Sequence, residues 1–226
     1  MLAPVRALRK KDVEWLASNR CKHSHTFLEH YQCFISEQPE MCPFVEKVGY
    51  LDIETTDLVA NYGYMTSYAI KLKDGGIIGR TLTQREIRSF VFDEKLVEEC
   101  CNKLRDFHRI VVYYGSDYRF DIPFLRTRAI KYGLDFPLYK EVFVQDVYSA
   151  VKAKLRLTRR SLEVACRTFE IPTKETRLTY PVTIKAMTGD KASLDTIWQH
   201  NIEDVISLEI LWEKLEPYVR KGRSSL

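Results

Sequence analysis

Acidic residues and one histidine stand where their types and spacing could do chemistry: Asp52 with Glu54, Asp121, and His200 with Asp204. Asp52 and Glu54 lie two apart in the apolar run Val48 to Glu54 (VGYLDIE), so in a strand both side chains leave the same face. Acidic residues are depleted in strand interiors. Two on one face of a buried strand repel, and one keeps its proton unless a cation sits between them. A divalent ion resolves that conflict, and so does a strand end open to water. Asp121 follows in YYGSDYRFDIPFL (113–125), where it either caps the helix that Pro123 opens or turns toward the other acids. Asp117 competes with it in the same loop, and Phe120 and Phe124 are expected to anchor that loop to the core. His200 and Asp204 in HNIEDV (200–205) are four apart, on one helical face. They read either as a surface ion pair or as two groups aimed at a sheet. The second reading follows from the apolar stripe Ile197, Val205, Leu208, Leu211 and Leu215, which runs beside Asp204; Glu203 is expected on the solvent face.

A second constellation lies near the N-terminus, in CKHSH (21–25) and HYQC (30–33). Two thiols and two imidazoles could close a tetrahedral site for a structural Zn²⁺, with Cys21, His30, Cys33 and one of His23 or His25 as ligands. Cys42 is a substitute thiol, and the plainer reading is a loop with free cysteines and surface histidines. Cys100, Cys101 and Cys166 occupy apolar helical positions and are expected in the core.

The elements that must position these groups alternate. Strands are predicted at 48–54, at 64–71 and 77–82 around the Asp74-Gly75-Gly76 turn, at 109–114 (RIVVYY) and at 141–147. Helices are predicted at 94–107 with Asp93 as N-cap, at 123–132 closed by Gly133, at 148–155, at 159–169 ended by Pro172, and at 191–215. Asp146 is expected to cap the helix after its strand. A hairpin followed by strand–helix alternation predicts an α/β fold with a mixed sheet. Residues 1–45 are predicted to form an appendage and 46–226 the main domain, with Pro39 and Pro43 at the joint.

Composition narrows the class. The chain has 226 residues, 45% hydrophobic and 29% charged, enough for a sizeable core and against wholesale disorder. The net charge of +4 fits an anionic partner without proving one. No apolar run approaches the roughly 18 residues of a membrane span. The first residues lack a secretory h-region, and six clumped cysteines are no disulfide framework, so a reducing, cytoplasmic setting is expected. Lys152, Lys154, Arg156, Arg159 and Arg160 could track a phosphate backbone, as could Arg126, Arg128 and Lys131, or Arg9, Lys10 and Lys11. Tyr62, Tyr64 and Tyr118 could stack bases.

Together YLDIETT (50–56), FDIPFL (120–125) and HNIEDV (200–205) resemble the DEDD 3′–5′ exonucleases of the ribonuclease-H-like superfamily. VQDVYSAVKAKLRLTRRSLEVAC (144–166) and TGDKASLDTIWQHNIEDV (188–205) are similar to its predicted bacterial, archaeal and phage nucleases, and the likeness spans 46–219. The resemblance implies a ribonuclease-H-like mixed sheet of about five strands with helices on both sides. It implies that Asp52, Glu54, Asp121 and Asp204 bind two Mg²⁺ or Mn²⁺ ions and that phosphodiester bonds are hydrolysed from single-stranded DNA or RNA ends. Alternatives on the same fold are a structure-specific endonuclease, an RNA-trimming enzyme or a nucleic-acid-binding module.

In this family the helper is Tyr in Tyr-x-x-x-Asp, or His with one more intervening residue. Here His200 stands at the Tyr spacing. An unperturbed pKa of about 6.5 suits a general base near neutral pH, the role expected of it. Family members often carry Asn-Gly a few residues before the Phe-Asp pair. This chain has Tyr114-Gly115, further from Asp121, which bears on the loop that would receive a substrate end.

Overall fold

The computed structural model describes residues 10–38, 46–73, 75–116, 118–220, 222 and 224–226. Arg9, the Lys11 side chain, Pro39, Cys42, Pro43, Asp74 and Asp117 lie outside the described residues. The chain divides into two compact units, with the boundary between Lys47 and Val48.

The first unit holds α1 (Lys10–Ser18) and α2 (Tyr31–Glu37). Between them a tight hairpin pairs Arg20 with Thr26 and turns at Ser24, whose φ is 66°. Trp15, Phe27 and Phe34 pack ring on ring, Trp15 and Phe27 stacked at 5.5 Å. Leu16, Cys21 and Cys33 complete this small core.

The second unit is a five-stranded sheet in the order β3-β2-β1-β4-β5. Its strands are β1 (Val48–Thr55), β2 (Met65–Leu72), β3 (Ile77–Thr81), β4 (Arg109–Val112) and β5 (Phe143–Asp146). β1 pairs antiparallel with β2, and β2 with β3; β1–β4 and β4–β5 are parallel. β1 is therefore central and covered on both faces, which explains its near-continuous apolar run.

Around the sheet lie α3 (Gln84–Arg88), α4 (Glu94–Leu104), α5 (Asp121–Tyr132), α6 (Val147–Lys154), α7 (Leu162–Thr168), α8 (Tyr180–Met187) and α9 (Lys191–Leu215). Side chains of β1 alternate between two cores. Leu51 and Ile53 join Ile110, Val112 and residues of α4 and α5. Val48 and Tyr50 join Val111 and residues of α6, α7 and the end of α9. Asp52 and Glu54 continue the Val48–Tyr50 face toward the end of the strand. A register irregularity between Glu54 and Thr55 ends the regular pairing there.

α9 packs across β2 and β1. Leu194 and Ile197 in its first turns belong to one core, Leu208, Leu211, Trp212 and Leu215 in its last turns to the other. The polar segment His200–Asp204 lies between the two. Among the described residues no helix is long and apolar enough to cross a membrane.

Two expectations are corrected. Asp93 holds the expected N-cap position of α4, but its side chain makes no capping bond. Fully buried, it pairs with Arg128 Nη2 at 2.5 Å, accepts from the Met65 N–H at 2.8 Å and takes the Tyr132 hydroxyl at 2.6 Å. Arg128 is equally buried, so it cannot track a phosphate backbone.

Candidate active site

Three elements converge at the C-terminal end of β1. The strand presents Asp52 and Glu54, α5 presents Asp121 from its first residue, and α9 presents His200 and Asp204. Phe120, not Asp121, holds the N-cap position of α5 and makes no side-chain cap bond. The buried Asp121 carboxylate instead accepts from the Ile53 N–H at 3.3 Å, tying α5 to β1 between the two strand acids. Gly115 lies against Asp121, and a Cβ there would collide with the carboxylate. That contact gives the Tyr114-Gly115 dipeptide its place beside the site.

Asp52 accepts from Asn201 Nδ2 at 2.6 Å, and Asn201 in turn takes the Ser67 hydroxyl at 3.1 Å. His200 Nε2 lies 3.7 Å from Glu54 Oε1 and 3.8 Å from Asp204 Oδ2. Lys174, from the segment between α7 and α8, reaches in and donates to Asp204 Oδ2 at 2.8 Å, with its Nζ 2.9 Å from His200 Nε2. His200 Nδ1 faces the Thr176 carbonyl at 3.1 Å and its hydroxyl at 2.9 Å, while that hydroxyl donates to Glu203 at 2.8 Å. A carbonyl only accepts and an ammonium only donates. These partners assign the proton to Nδ1 and make Nε2 the acceptor for the Lys174 ammonium. Glu203 is thus half-buried on Thr176 and Gln199 rather than facing solvent.

The electrostatics follow from burial and like charge. Burial, then Asp204, Glu54 and Asp121, push the Asp52 carboxyl well above the usual range. Burial and Asp204 push Glu54 up to about 8. Burial pushes Asp121 up to about 7 against its backbone hydrogen bonds. Burial and Lys174 pull His200 down, favouring neutral imidazole. Burial alone would lower Lys174, yet Asp204, Asp52 and Glu54 hold its ammonium above its ordinary value.

Beside the site, Asp146 caps α6 through the Tyr148 N–H at 2.9 Å. It also accepts from the Tyr114 and Ser116 N–H groups at 3.1 Å and pairs with Arg119 at 2.6 Å, fixing the loop that carries Gly115. Tyr113, Tyr114, Tyr148, Arg159 and Arg160 line an open groove. Lys152, Lys154 and Arg156 are exposed nearby in the chain. Tyr62 and Tyr118 are exposed, whereas Tyr64 is half-buried, stacking on Phe92 at 4.4 Å. Arg126 lies over the Phe136 ring, and Lys10 pairs with Glu14 in its own helix. Lys174, Thr176 and Asn201 were not among the sequence candidates. Neither Lys174 nor Thr176 belongs to a periodic segment, and Asn201 shows its purpose only once β2 is paired.

In the first unit, donor atoms of Cys21, His23, His30 and Cys33 all lie within 4.8 Å of one another. His25 packs edge-on against the His30 ring at 5.3 Å but is not one of the four. Cys100, Cys101 and Cys166 are buried in the two larger cores.

A family model described as the RNase_H superfamily matches residues 49–216. Among solved structures, a family B DNA polymerase from the hyperthermophilic archaeon Pyrobaculum calidifontis is 22% identical at a TM-score of 0.57, over 78% of this chain and 25% of that one. The chain thus spans about a quarter of the polymerase's length. Brucella melitensis NrnC is 18% identical at a TM-score of 0.52, over 75% of this chain and 72% of its own. NrnC with bound Mg²⁺ is 17% identical at 0.50, with the same coverage. At these identities the likeness is one of fold. No curated protein matches the chain in sequence.

Proposed function

This chain belongs to the RNase_H superfamily, and we propose that it is a metal-dependent 3′–5′ exonuclease acting on single-stranded nucleic acid ends. The observation that carries the reading is the convergence of Asp52, Glu54, Asp121 and Asp204 from β1, α5 and α9, close enough that their charges act on one another. Acids driven this far toward the neutral form need positive charge to ionise together, and hard oxygen donors suit Mg²⁺ or Mn²⁺. NrnC has been solved with bound Mg²⁺, in line with that choice. These four carboxylates would hold two ions, which when bound supply an activated water and stabilise the leaving 3′ oxygen.

The other residues have roles that follow from their partners. Asn201 holds Asp52 in orientation. Thr176 fixes the His200 tautomer, which makes Nε2 the basic nitrogen, a general base toward an attacking water once the Lys174 ammonium releases it. Gly115 permits the close approach that keeps Asp121 against β1. The tyrosine-lined groove with Arg159 and Arg160 offers ring faces to bases and charge to phosphates of an incoming strand.

The test is cleavage of 5′-labelled single-stranded DNA and RNA with Mg²⁺ or Mn²⁺, with EDTA controls and Asp52→Ala in parallel. A ladder shortening from the 3′ end, absent in EDTA and in Asp52→Ala, supports the reading and identifies the substrate. Internal cuts would replace it with an endonuclease. Binding without cleavage under either metal would leave a nucleic-acid-binding module.

A further inference from the structure

The first unit contains four soft or borderline metal donors that the nuclease reading does not use. Cys21 and His23 sit on the 19–27 hairpin, which is closed by the Cys21 N–H bonded to the His25 carbonyl at 2.9 Å and the Phe27 N–H to Asn19 at 3.0 Å. The left-handed Ser24 turn folds the tip back. His30 immediately precedes α2 and Cys33 lies in its first turn, with the Cys33 N–H bonded to the His30 carbonyl at 3.0 Å. Each pair is therefore held by local backbone, and the two pairs face each other.

The separations are those of a tetrahedron. Zn–S near 2.3 Å and Zn–N near 2.0 Å at tetrahedral angles put sulfur and nitrogen donors about 3.6 Å apart. Cys21 Sγ lies 3.7 Å from His30 Nδ1, and His23 Nδ1 lies 3.2 Å from Cys33 Sγ. Two thiols and two imidazoles favour zinc over Mg²⁺ or Ca²⁺, which take oxygen ligands. The surroundings also call for a staple. Among the described residues, the packed core of this unit outside the cysteines is Leu16, Phe27 and Phe34 with Trp15 and Ile35 at its edge, and units below about 50 residues commonly add a staple.

We propose that the N-terminal unit is a structural zinc module, with one ion held by Cys21, His23, His30 and Cys33 and with His25 outside the coordination sphere. The ion clips the hairpin to α2. All four protein positions are filled, so the ion is closed to water and to substrate, as in structural sites.

The experiment uses the full chain, purified without chelator, and reads metal content by mass spectrometry. About one zinc per chain is expected. It should persist in an Asp52→Ala/Asp204→Ala variant, which separates it from the carboxylate site, and be lost in Cys33→Ser. Because Cys33→Ser can fail to fold, Co²⁺ exchange into the wild-type chain gives a second reading. Thiolate-to-Co²⁺ charge-transfer bands are expected, altered by His23→Ala and unchanged by His25→Ala. The proposal is overturned by a chain without zinc that shows no thiolate–Co²⁺ bands. Zinc that leaves with the carboxylate variant would overturn it as well. So would a mass two hydrogens light, marking a Cys21–Cys33 disulfide.

Discussion

The Lys174 ammonium donates to the Asp204 carboxylate at 2.8 Å, among acids whose repulsion it opposes. It stands where the proposed cations must act, so Lys174 and the metal compete for the same negative field. Removing the ammonium leaves that field to the ion alone. Lys174→Met is expected to bind Mn²⁺ about tenfold more tightly, about 1.4 kcal/mol in calorimetric titration. Weaker binding would make Lys174 a support of the metal site rather than its competitor.

Stability without metal should fall with rising pH. Glu54 is held up to about 8 and Asp121 up to about 7 in the folded chain, against about 4 when unfolded. Folded values raised in this way mean that the native state binds more protons than the unfolded state across the interval. The contribution is complete below about pH 4 and is lost as pH rises through about 7 to 8. In EDTA the Tm should therefore drop between about pH 5 and 8.5, and saturating Mg²⁺ should flatten the drop by favouring the ionised acids. Thermal melts with and without Mg²⁺ across this range test it. A Tm that climbs with pH in EDTA would show that other charges dominate the site.

The positions of β1, α5 and α9 were legible because each carries its signal within a few residues. Val48–Glu54 is an apolar run broken by its acids, Pro123 and Gly133 bracket a helix, and the apolar stripe from Ile197 to Leu215 marks α9. Spacing then put Asp52 with Glu54 and His200 with Asp204 on shared faces. Asp93 misled because a good cap residue stood at a good cap position, while its stronger partner, Arg128, lay 35 residues away. Lys174 was hidden for the same reason. Its value depends on the approach of the 169–179 segment to α9, and no local pattern marks that approach. The Cys/His group was legible as residue types, but the choice of His23 over His25 required the folded hairpin.

The buried Asp93–Arg128 pair yields a stability prediction. Both side chains are fully excluded from water, so removing one leaves an uncompensated charge. Asp93→Ala should cost about 3–5 kcal/mol in urea unfolding with an unchanged m-value. Replacing both residues by apolar ones should recover part of that. It cannot recover all, because the Met65 N–H loses its acceptor, a cost of about 1–3 kcal/mol. Full recovery in the double variant would show that water reaches Met65. A loss below about 1 kcal/mol in Asp93→Ala would show that the guanidinium finds another partner.

His200 offers the sharpest test of the proposed chemistry. Burial and Lys174 hold its pKa below the ordinary value of about 6.5, so the imidazole is neutral at physiological pH. The Thr176 carbonyl accepts from Nδ1–H, and Nε2, bonded to the Lys174 ammonium, is the basic nitrogen. A base in that state is active above its pKa and silenced below it. The wild-type pH–rate profile should therefore carry an acid limb below about pH 6.5 at saturating metal. His200→Ala should lower the rate by about 10²–10⁴ and remove that limb. If the rate falls but the limb stays at the same pH, the titrating group is another one and His200 serves to hold the 173–176 segment against α9. Thr176→Val separates these outcomes further. It keeps the carbonyl and removes only the hydroxyl, so a base held by the carbonyl keeps its limb in that variant.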